Sequence, residues 1–142
     1  SDVCSSDLSL FFGSDGIVAP AFLKVAGSAC NGTIVTYPYD ETRNDPKNKD
    51  FIRRFRKRYG EEPDSFSAHG YDAMMIMCEA IRKAGLNRYR IRDALANTRD
   101  HHGVTGFISF DHQGNDTREV TFARIIDGKF HPIKEFESLK RH

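Results

Sequence analysis

Two stretches carry the strongest structural signal in this chain: YDAMMIMCEAIRKAG (residues 71–85) and, further along, GVTGFISFDHQGN (residues 103–115). The first has the apolar spacing of a helix and ends at a glycine, which predicts a helix from about Phe66 to Ala84. The apolar stripe of this helix is predicted to consist of Tyr71, Met74, Met75, Cys78 and Ile81. The second stretch alternates, which predicts a strand over 106–110 and a polar turn over 111–116.

The part of the chain before this helix is predicted to begin with a strand, a helix and a second strand. Ser9–Phe12 is a short apolar run that stops at the turn residues Gly13–Gly16, which predicts a buried strand. A short helix is predicted from about Pro20 to Gly27. β-Branched and aromatic residues then predict a strand over 32–37.

A longer helix is predicted over 44–60. Asp45 is a natural N-cap, Pro46 suits the first helical position, and Gly60 suits the position just after the last turn. The apolar face is predicted to comprise Phe51, Ile52, Phe55 and Tyr59. The remaining surface is basic, and we interpret it as a solvated helix face rather than a nucleic-acid contact, because acidic residues follow at once.

The end of the chain is predicted to be mostly β structure. After a short helix over about 89–98, strands are predicted over 106–110, 120–126 and 129–133, with a tight turn at Asp127–Gly128. The predicted order is therefore β-α-β-α-α-α-β-β-β, which indicates an α/β chain with a terminal hairpin.

Composition and charge exclude two classes of partner. Lys and Arg number 21 against 20 Asp and Glu, a net charge of +1, so no global field attracts nucleic acid or an anionic membrane. No apolar run approaches the ~20 residues that a membrane-spanning helix needs. We therefore expect no nucleic-acid partner.

The sequence shows none of the residue sets that catalysis usually requires, so we expect neither an enzyme nor a cofactor. The Gly13–Gly16 turn lacks the spacing of a phosphate-binding loop. His101 and His102 are adjacent in a predicted loop, where neighbouring side chains seldom converge on one metal, so no metal site is predicted. Cys30 and Cys78 are predicted to be separate thiols, Cys78 in a helix core, with a disulfide as the alternative.

Asp15 is the one candidate binding residue that position alone indicates. It lies just past the end of the first predicted strand, where open α/β folds place their ligands. A carboxylate there can hold a substrate ammonium by a charge-assisted hydrogen bond worth ~1.5–3 kcal/mol. The alternative is an ordinary turn, because Asp is common in a Gly-Ser-Asp-Gly sequence.

The first eight residues, SDVCSSDL, have no apolar alternation and no helical spacing. Their codons can be written so that they resemble the end of a common sequencing adapter. We therefore interpret residues 1–8 as a non-native, adapter-like segment and set them aside. This interpretation predicts that the rest of the chain is the C-terminal portion of a longer protein, so that the absence of a signal peptide carries no information.

Five stretches together resemble one known family: residues 11–16, 26–39, 55–63, 67–85 and 103–115. They resemble the C-terminal portion of the type 1 periplasmic binding proteins, and most closely the substrate-binding proteins of branched-chain amino acid ABC transporters. The resemblance covers residues 9–133.

The resemblance implies two doubly wound α/β lobes, joined by crossover strands, that close on a ligand. The strand through Tyr37 would be one crossing and the strand near Phe122–Ala123 the next. Residues 9–37 and 123–142 would then belong to the second, C-terminal lobe, and residues 38–122 to the first, N-terminal lobe.

The resemblance also implies ligand-binding residues. Asp15 matches the position whose acidic side chain binds the α-ammonium of the amino acid, and it stands where the best-known members have Glu. Ser14 beside it is a further candidate. Phe66 matches an aromatic residue of the pocket for the ligand's side chain, and Tyr71 is expected nearby.

The implied function is that of a solute receptor in the periplasm, or outside the cell and tethered to the membrane. Its partners would be an amino acid or related small molecule and the membrane permease of an ABC transporter. The alternative is the ligand-sensing domain of a regulator or receptor with the same fold, binding an amide or an aromatic acid. A small α/β enzyme is a weaker alternative, since no catalytic set is visible.

Overall fold

A computed structural model describes residues 10–133 of the chain. The adapter-like segment 1–8, with Cys4, and the predicted lobe residues 134–142 lie outside the described residues. The elements, in chain order, are β1 (Phe12–Gly13), α1 (Pro20–Ala26), β2 (Ile34–Thr36), α2 (Pro46–Tyr59), α3 (Ser65–Ala84), α4 (Arg88–Ala96), β3 (His101–His102), β4 (Phe107–Ile108), β5 (Phe122–Ile126) and β6 (Lys129–Ile133). Two 3-10 helices, Asp15–Ile17 and Gly27–Cys30, flank α1.

The predicted order of elements is confirmed with one addition. The addition is β3, which the sequence places in a loop. His101 pairs with Ile108 and His102 with Phe107, so β3 and β4 form a two-stranded antiparallel ribbon. The strand was missed because a two-residue polar segment has no alternation, and only its pairing with β4 makes it a strand.

The chain divides into two compact units. Unit 1 contains the described residues up to Pro38 and those from Val120 onward, and unit 2 is Tyr39–Glu119. The assignment of residues 9–37 and 123–142 to one lobe of a larger protein, and of 38–122 to the other, stays a prediction.

Unit 1 is built on a four-stranded sheet in the order β1-β2-β5-β6. β1 and β2 are parallel, and the other neighbours are antiparallel, with Val35 opposite Ala123. β2 is central, and both Ile34 and Val35 are fully buried. The core beneath the sheet contains Val18, Cys30, Val35, Tyr37, Ala123 and Ile125. Alternation in β5, with Ala123 and Ile125 inward, confirms the two-residue period predicted there.

The first strand is shorter and more exposed than the sequence predicts. Phe11 and Phe12 are each 64% exposed, so the expectation of a buried strand is wrong. Among the described residues β1 pairs only with β2 and forms the edge of the sheet. An edge strand covers its neighbour without being covered itself, which leaves the two Phe side chains in solvent.

Unit 2 begins with α2, whose ends are as the sequence predicts. The Asp45 carboxylate accepts hydrogen bonds from the N–H groups of Lys47 (2.8 Å) and Asn48 (3.1 Å), and Gly60 adopts a left-handed conformation with φ 74° after the last turn. Phe51 is buried in a core shared with Tyr39, Ala68 and Val104. Tyr59, predicted to be part of the apolar face, is exposed.

α3 buries a different face from the one predicted. Met74, Met75 and Cys78 are exposed, whereas the buried positions repeat every four residues: Ala68, Asp72, Ile76 and Ala80. The small side chains of Ala68 and Ala80 allow neighbouring parts of unit 2 to approach α3 closely. Asp72 can be buried because the backbone N–H groups of residues 104 and 105 donate hydrogen bonds to its carboxylate. The prediction of Cys78 in a helix core is therefore wrong. Both described cysteines are free, and it is Cys30 that is buried.

None of the helices within residues 10–133 is long and apolar enough to cross a membrane.

Candidate functional site

Ser14 and Asp15 follow β1 directly, as the sequence predicts. Ser14 is extended and Asp15 begins a 3-10 helix that ends at Ile17. The Val18 N–H donates to the Asp15 carbonyl oxygen (3.0 Å), which closes the turn. The turn lies at the carboxyl end of β1, a strand parallel to its neighbour β2. The carboxyl ends of parallel strands are where open α/β folds bind ligands.

The Asp15 carboxylate is exposed. No described residue donates a hydrogen bond to it or forms an ion pair with it, in contrast to Asp45, Asp64 and Asp72, whose carboxylates are all occupied within the fold. Among residues 10–133 the Asp15 side chain therefore has no part in holding its own turn, and its carboxylate is available to a ligand.

The two aromatic candidates both lie on α3 in unit 2, but on different sides of the helix. Asp64 caps this helix by accepting from the Ser67 N–H (2.8 Å), which places Phe66 in the first turn. The Phe66 side chain is 61% exposed. Tyr71 follows five residues later, which corresponds to about 140° around the helix axis at 100° per residue. The structure therefore does not bring Phe66 and Tyr71 together.

Tyr71 is held within unit 2. Its ring packs against Phe51 with 5.0 Å between ring centroids, and its hydroxyl accepts a hydrogen bond from the Arg54 guanidinium (3.0 Å). The same guanidinium lies 5.9 Å from the ring centroid, within the range of a cation–π contact. These contacts give Tyr71 a packing role that the sequence did not predict.

Tyr71 also lines a cavity of about 330 Å³ that lies within unit 2. Its other charged or titratable lining residues are Lys47, Asp50, Arg54, Asp72, Glu79, His101 and His102. Most of these groups are paired: Arg54 with Asp50 (2.9 Å), His101 with Glu79 (3.2 Å), and Asp72 with the backbone of 104–105. The cavity wall is therefore an internally satisfied polar network.

The adjacent histidines join β3 to two different helices. His101 Nδ1 lies 3.2 Å from Glu79 Oε2 on α3, and His102 Nε2 lies 2.7 Å from Asp45 Oδ2 at the start of α2. The hydrogen bond from His102 is the main cause that lowers the pKa of Asp45. Within residues 10–133 no group of three or more His, Cys, Asp or Glu side chains could hold a metal ion.

Two interactions in unit 2 were not predicted from the sequence. In the first, the Arg43 guanidinium donates to the Val104 carbonyl oxygen (2.7 Å). In the second, the Tyr39 hydroxyl donates to Asn48 Oδ1 (2.8 Å). Burial, and to a lesser extent the nearby Glu41 carboxylate, raises the pKa of Tyr39. The sequence signal that could have indicated them is the run of polar residues in the segment YPYDETRND (residues 37–45). This segment has no periodicity, so it predicts no particular contact. These contacts hold the unit together and reach none of the candidate ligand-binding residues.

Comparison with known proteins identifies relatives for nearly the whole chain. Residues 7–129 match the protein family described as periplasmic binding protein. Over 130 residues the chain is 31% identical to the Leu/Ile/Val-binding protein homolog 1 of Brucella suis, covering 88% of this chain and 34% of that protein. The chain thus spans about a third of the length of the curated relatives it matches.

Solved structures agree with this relationship. A leucine-binding protein, LivK, from Thermotoga maritima superposes with a TM-score of 0.80 at 29% identity, covering 89% of this chain and 37% of that one. The branched-chain amino acid substrate-binding protein LivJ of Streptococcus pneumoniae, in complex with isoleucine, gives 0.77 at 29% identity, covering 89% and 38%. These likenesses confirm the predicted type 1 periplasmic binding protein-like α/β fold. The chain belongs to the periplasmic binding protein family.

Proposed function

We propose that this chain is the C-terminal portion of the substrate-binding component of an ABC-type uptake transporter, and that the ligand is a branched-chain or related amino acid. The protein would work in the periplasm, or outside the cell and tethered to the membrane, and deliver its ligand to a membrane permease. It would not be an enzyme. Support comes from the family membership and from relatives named for leucine, isoleucine and valine binding.

The observation that carries this proposal is the Asp15 carboxylate at the carboxyl end of β1, which is exposed and has no partner among residues 10–133. In this proposal Asp15 binds the α-ammonium of the amino acid, and Ser14 contributes a hydroxyl beside it. Phe66, exposed in the first turn of α3, contacts the ligand's side chain. Tyr71 contributes indirectly, through its packing on Phe51.

The remaining contacts, including those to the ligand carboxylate, would come from the part of the protein that this chain does not cover. We propose that units 1 and 2 belong to the two lobes and that the lobes close on the ligand. A ligand that contacts both lobes favours the closed form over the open form, and the closed form would be the one that the permease recognises.

The test is isothermal titration calorimetry on the full-length protein with L-leucine, L-isoleucine and L-valine. Asp15→Asn keeps the size of the side chain but removes its charge. Loss of a charge-assisted hydrogen bond worth ~1.5–3 kcal/mol should weaken binding by about 10- to 150-fold. The matched control is Asp127→Asn, which makes the same charge change at an exposed turn of unit 1 whose φ of 49° Asn tolerates.

Three results would contradict parts of the proposal. Equal affinity of Asp15→Asn and wild type would exclude Asp15 as the ammonium-binding residue. Unchanged affinity in Phe66→Ala would exclude its pocket role. Binding of benzoate or acetamide, with no heat from any of the three amino acids, would exclude a branched-chain amino acid as the ligand and favour an amide or an aromatic acid.

A further inference from the structure

At the start of the Asp15 turn, a side chain at position 13 could be accommodated only if the Ile17 side chain moved. A Cβ added to Gly13 would lie 2.3 Å from Ile17 Cδ1, 3.1 Å from Ile17 Cγ1 and 3.3 Å from Val35 Cγ1. The first of these distances is far shorter than the separation of about 3.5–4.0 Å that is optimal for two carbon atoms that are not bonded to each other. The Ile17 side chain therefore occupies the space beside Gly13, against Val35 of the central strand.

This contact ties both ends of the turn to the buried core of unit 1. Val35 is fully buried in β2, and Ile17 packs against the core that contains Val35 and Val18. Gly13 belongs to β1 and pairs with Val35. Asp15 lies between these two anchors, and its carboxylate has no described partner of its own to orient it.

We propose that Gly13 and Ile17 are positioning residues for the Asp15 carboxylate, because the packing of Ile17 over Gly13 fixes where the turn projects it. The inference rests on the proposed role of Asp15 in binding an ammonium group. A side chain at position 13 displaces Ile17, and with it the 3-10 helix that Asp15 begins. The affinity for the ligand then falls although the carboxylate is still present.

The test compares three variants of the full-length protein by calorimetry with L-leucine. Gly13→Ala is expected to weaken binding at least 10-fold. Gly16→Ala is the matched control, since a Cβ there meets only Ser14 Oγ at 3.4 Å, an ordinary contact, and its affinity should equal that of wild type. The double variant Gly13→Ala/Ile17→Val removes Cδ1, the atom at 2.3 Å, and should recover most of the lost affinity.

Amide hydrogen exchange supplies a readout that needs no ligand. The Val18 N–H is bonded to the Asp15 carbonyl oxygen, so its exchange reports the turn directly. It should be faster in Gly13→Ala than in wild type and return toward the wild-type rate in the double variant. A variant that merely loosened the fold would instead speed exchange across β2 and β5, and Ile17→Val would add to the damage rather than repair it.

The outcomes separate this inference from the proposed function. If Asp15→Asn weakens leucine binding but Gly13→Ala binds like wild type, the positioning role is wrong and the role of Asp15 stands. Failure of the double variant to recover affinity also overturns the inference, because the clash would not be its cause. If Asp15→Asn itself binds like wild type, the proposed role of Asp15 fails, and the positioning role fails with it.

Discussion

Asp72 and Thr105 are joined by two hydrogen bonds to a single carboxylate oxygen: Asp72 Oδ2 accepts from the Thr105 N–H (2.8 Å) and from its hydroxyl (2.7 Å). The other oxygen accepts from the Val104 N–H (2.7 Å), and Asp72 is 2% exposed. A Cβ on Gly103 would lie 2.4 Å from the carboxylate, so only glycine fits there. The YDA segment of α3 (residues 71–73) and the GVTG loop (residues 103–106) are thus held together by one buried hydrogen-bond network within unit 2.

Asp72→Asn should destabilise the protein by about 2–4 kcal/mol. An amide has one acceptor oxygen in place of two, so at least one buried donor at residues 104–105 is left without a partner. The measurement is the free energy of unfolding of the full-length protein by chemical denaturation.

The matched control for this prediction is Asp93→Asn on α4. Asp93 pairs with Arg92 at 2.7 Å, and both side chains are more than half exposed, so its loss should change the free energy of unfolding little. An Asp72→Asn variant as stable as Asp93→Asn would show that the buried network is dispensable.

The sequence predicted helices well where the signals were local and predicted their faces poorly. Asp45, Pro46 and Gly60 act on the backbone next to them, so the bounds of α2 follow from those residues alone. The buried face of α3 depends instead on what packs against it. A rule that buries the largest apolar side chains selects Met74 and Met75, whereas the fold buries Asp72, because its partners lie at residues 104–105.

The pairing of Asp45 with His102 predicts a loss of stability in acid. The His102 hydrogen bond holds the pKa of Asp45 below its usual 3.8. A carboxyl group whose pKa is lowered in the folded state stabilises the fold above its unfolded-state pKa, and this stabilisation is lost as the pH falls through the folded-state value. The free energy of unfolding contributed by Asp45 should therefore be fully present above about pH 5 and decline below about pH 4.

Asp45→Asn separates the charge from the helix cap. Asn still accepts from the N–H groups of Lys47 and Asn48, so the variant keeps the cap but carries no titrating group. Its free energy of unfolding should fall less than that of wild type between pH 5 and pH 2. Asp45→Ala, which loses the cap as well, should cost about 1 kcal/mol at neutral pH. Parallel acid profiles for wild type and Asp45→Asn would argue against this account.

Tyr71 is expected to affect stability more than ligand binding. Truncation to Ala removes the ring that packs on Phe51 and should cost about 2 kcal/mol, whereas Tyr71→Phe keeps the ring and loses only the partly exposed hydrogen bond from Arg54. Leucine affinity of Tyr71→Phe should stay within about twofold of wild type, a difference below ~0.5 kcal/mol. A larger loss of affinity with unchanged stability would restore Tyr71 as a direct ligand contact.

The candidate site could be predicted only in part. Some of its residues are placed by their sequence neighbours, whereas others are placed by contacts between elements that are distant in sequence. Asp15 follows from local information, since a glycine-bounded turn after an apolar strand places it at the strand's carboxyl end. The packing of Ile17 beside Gly13 and Val35 could not be predicted, because these residues come together only once β1 and β2 are paired. The packing of Tyr71 could not be predicted for the same reason, because its contacts come from Phe51 and Arg54 on α2.

Residues 9–142 expressed alone should aggregate or remain molten and should bind no amino acid. Large apolar side chains are exposed in both units: Phe12 of the edge strand β1 and Phe11 just before it, each at 64%, and Met74 of α3 at 62%. Unpaired strand edges and apolar helix faces of this kind recruit other chains when nothing covers them.

This prediction is checked by a thermal melt followed by circular dichroism, by binding of a hydrophobic dye, and by calorimetry with L-leucine, with the full-length protein as the control. Dye binding, a broad melt and no heat with leucine are expected, because the carboxylate of the ligand would lack its partners. A sharp cooperative melt together with micromolar leucine binding would instead mean that units 1 and 2 suffice for function, and the proposed dependence on the rest of the protein would be wrong.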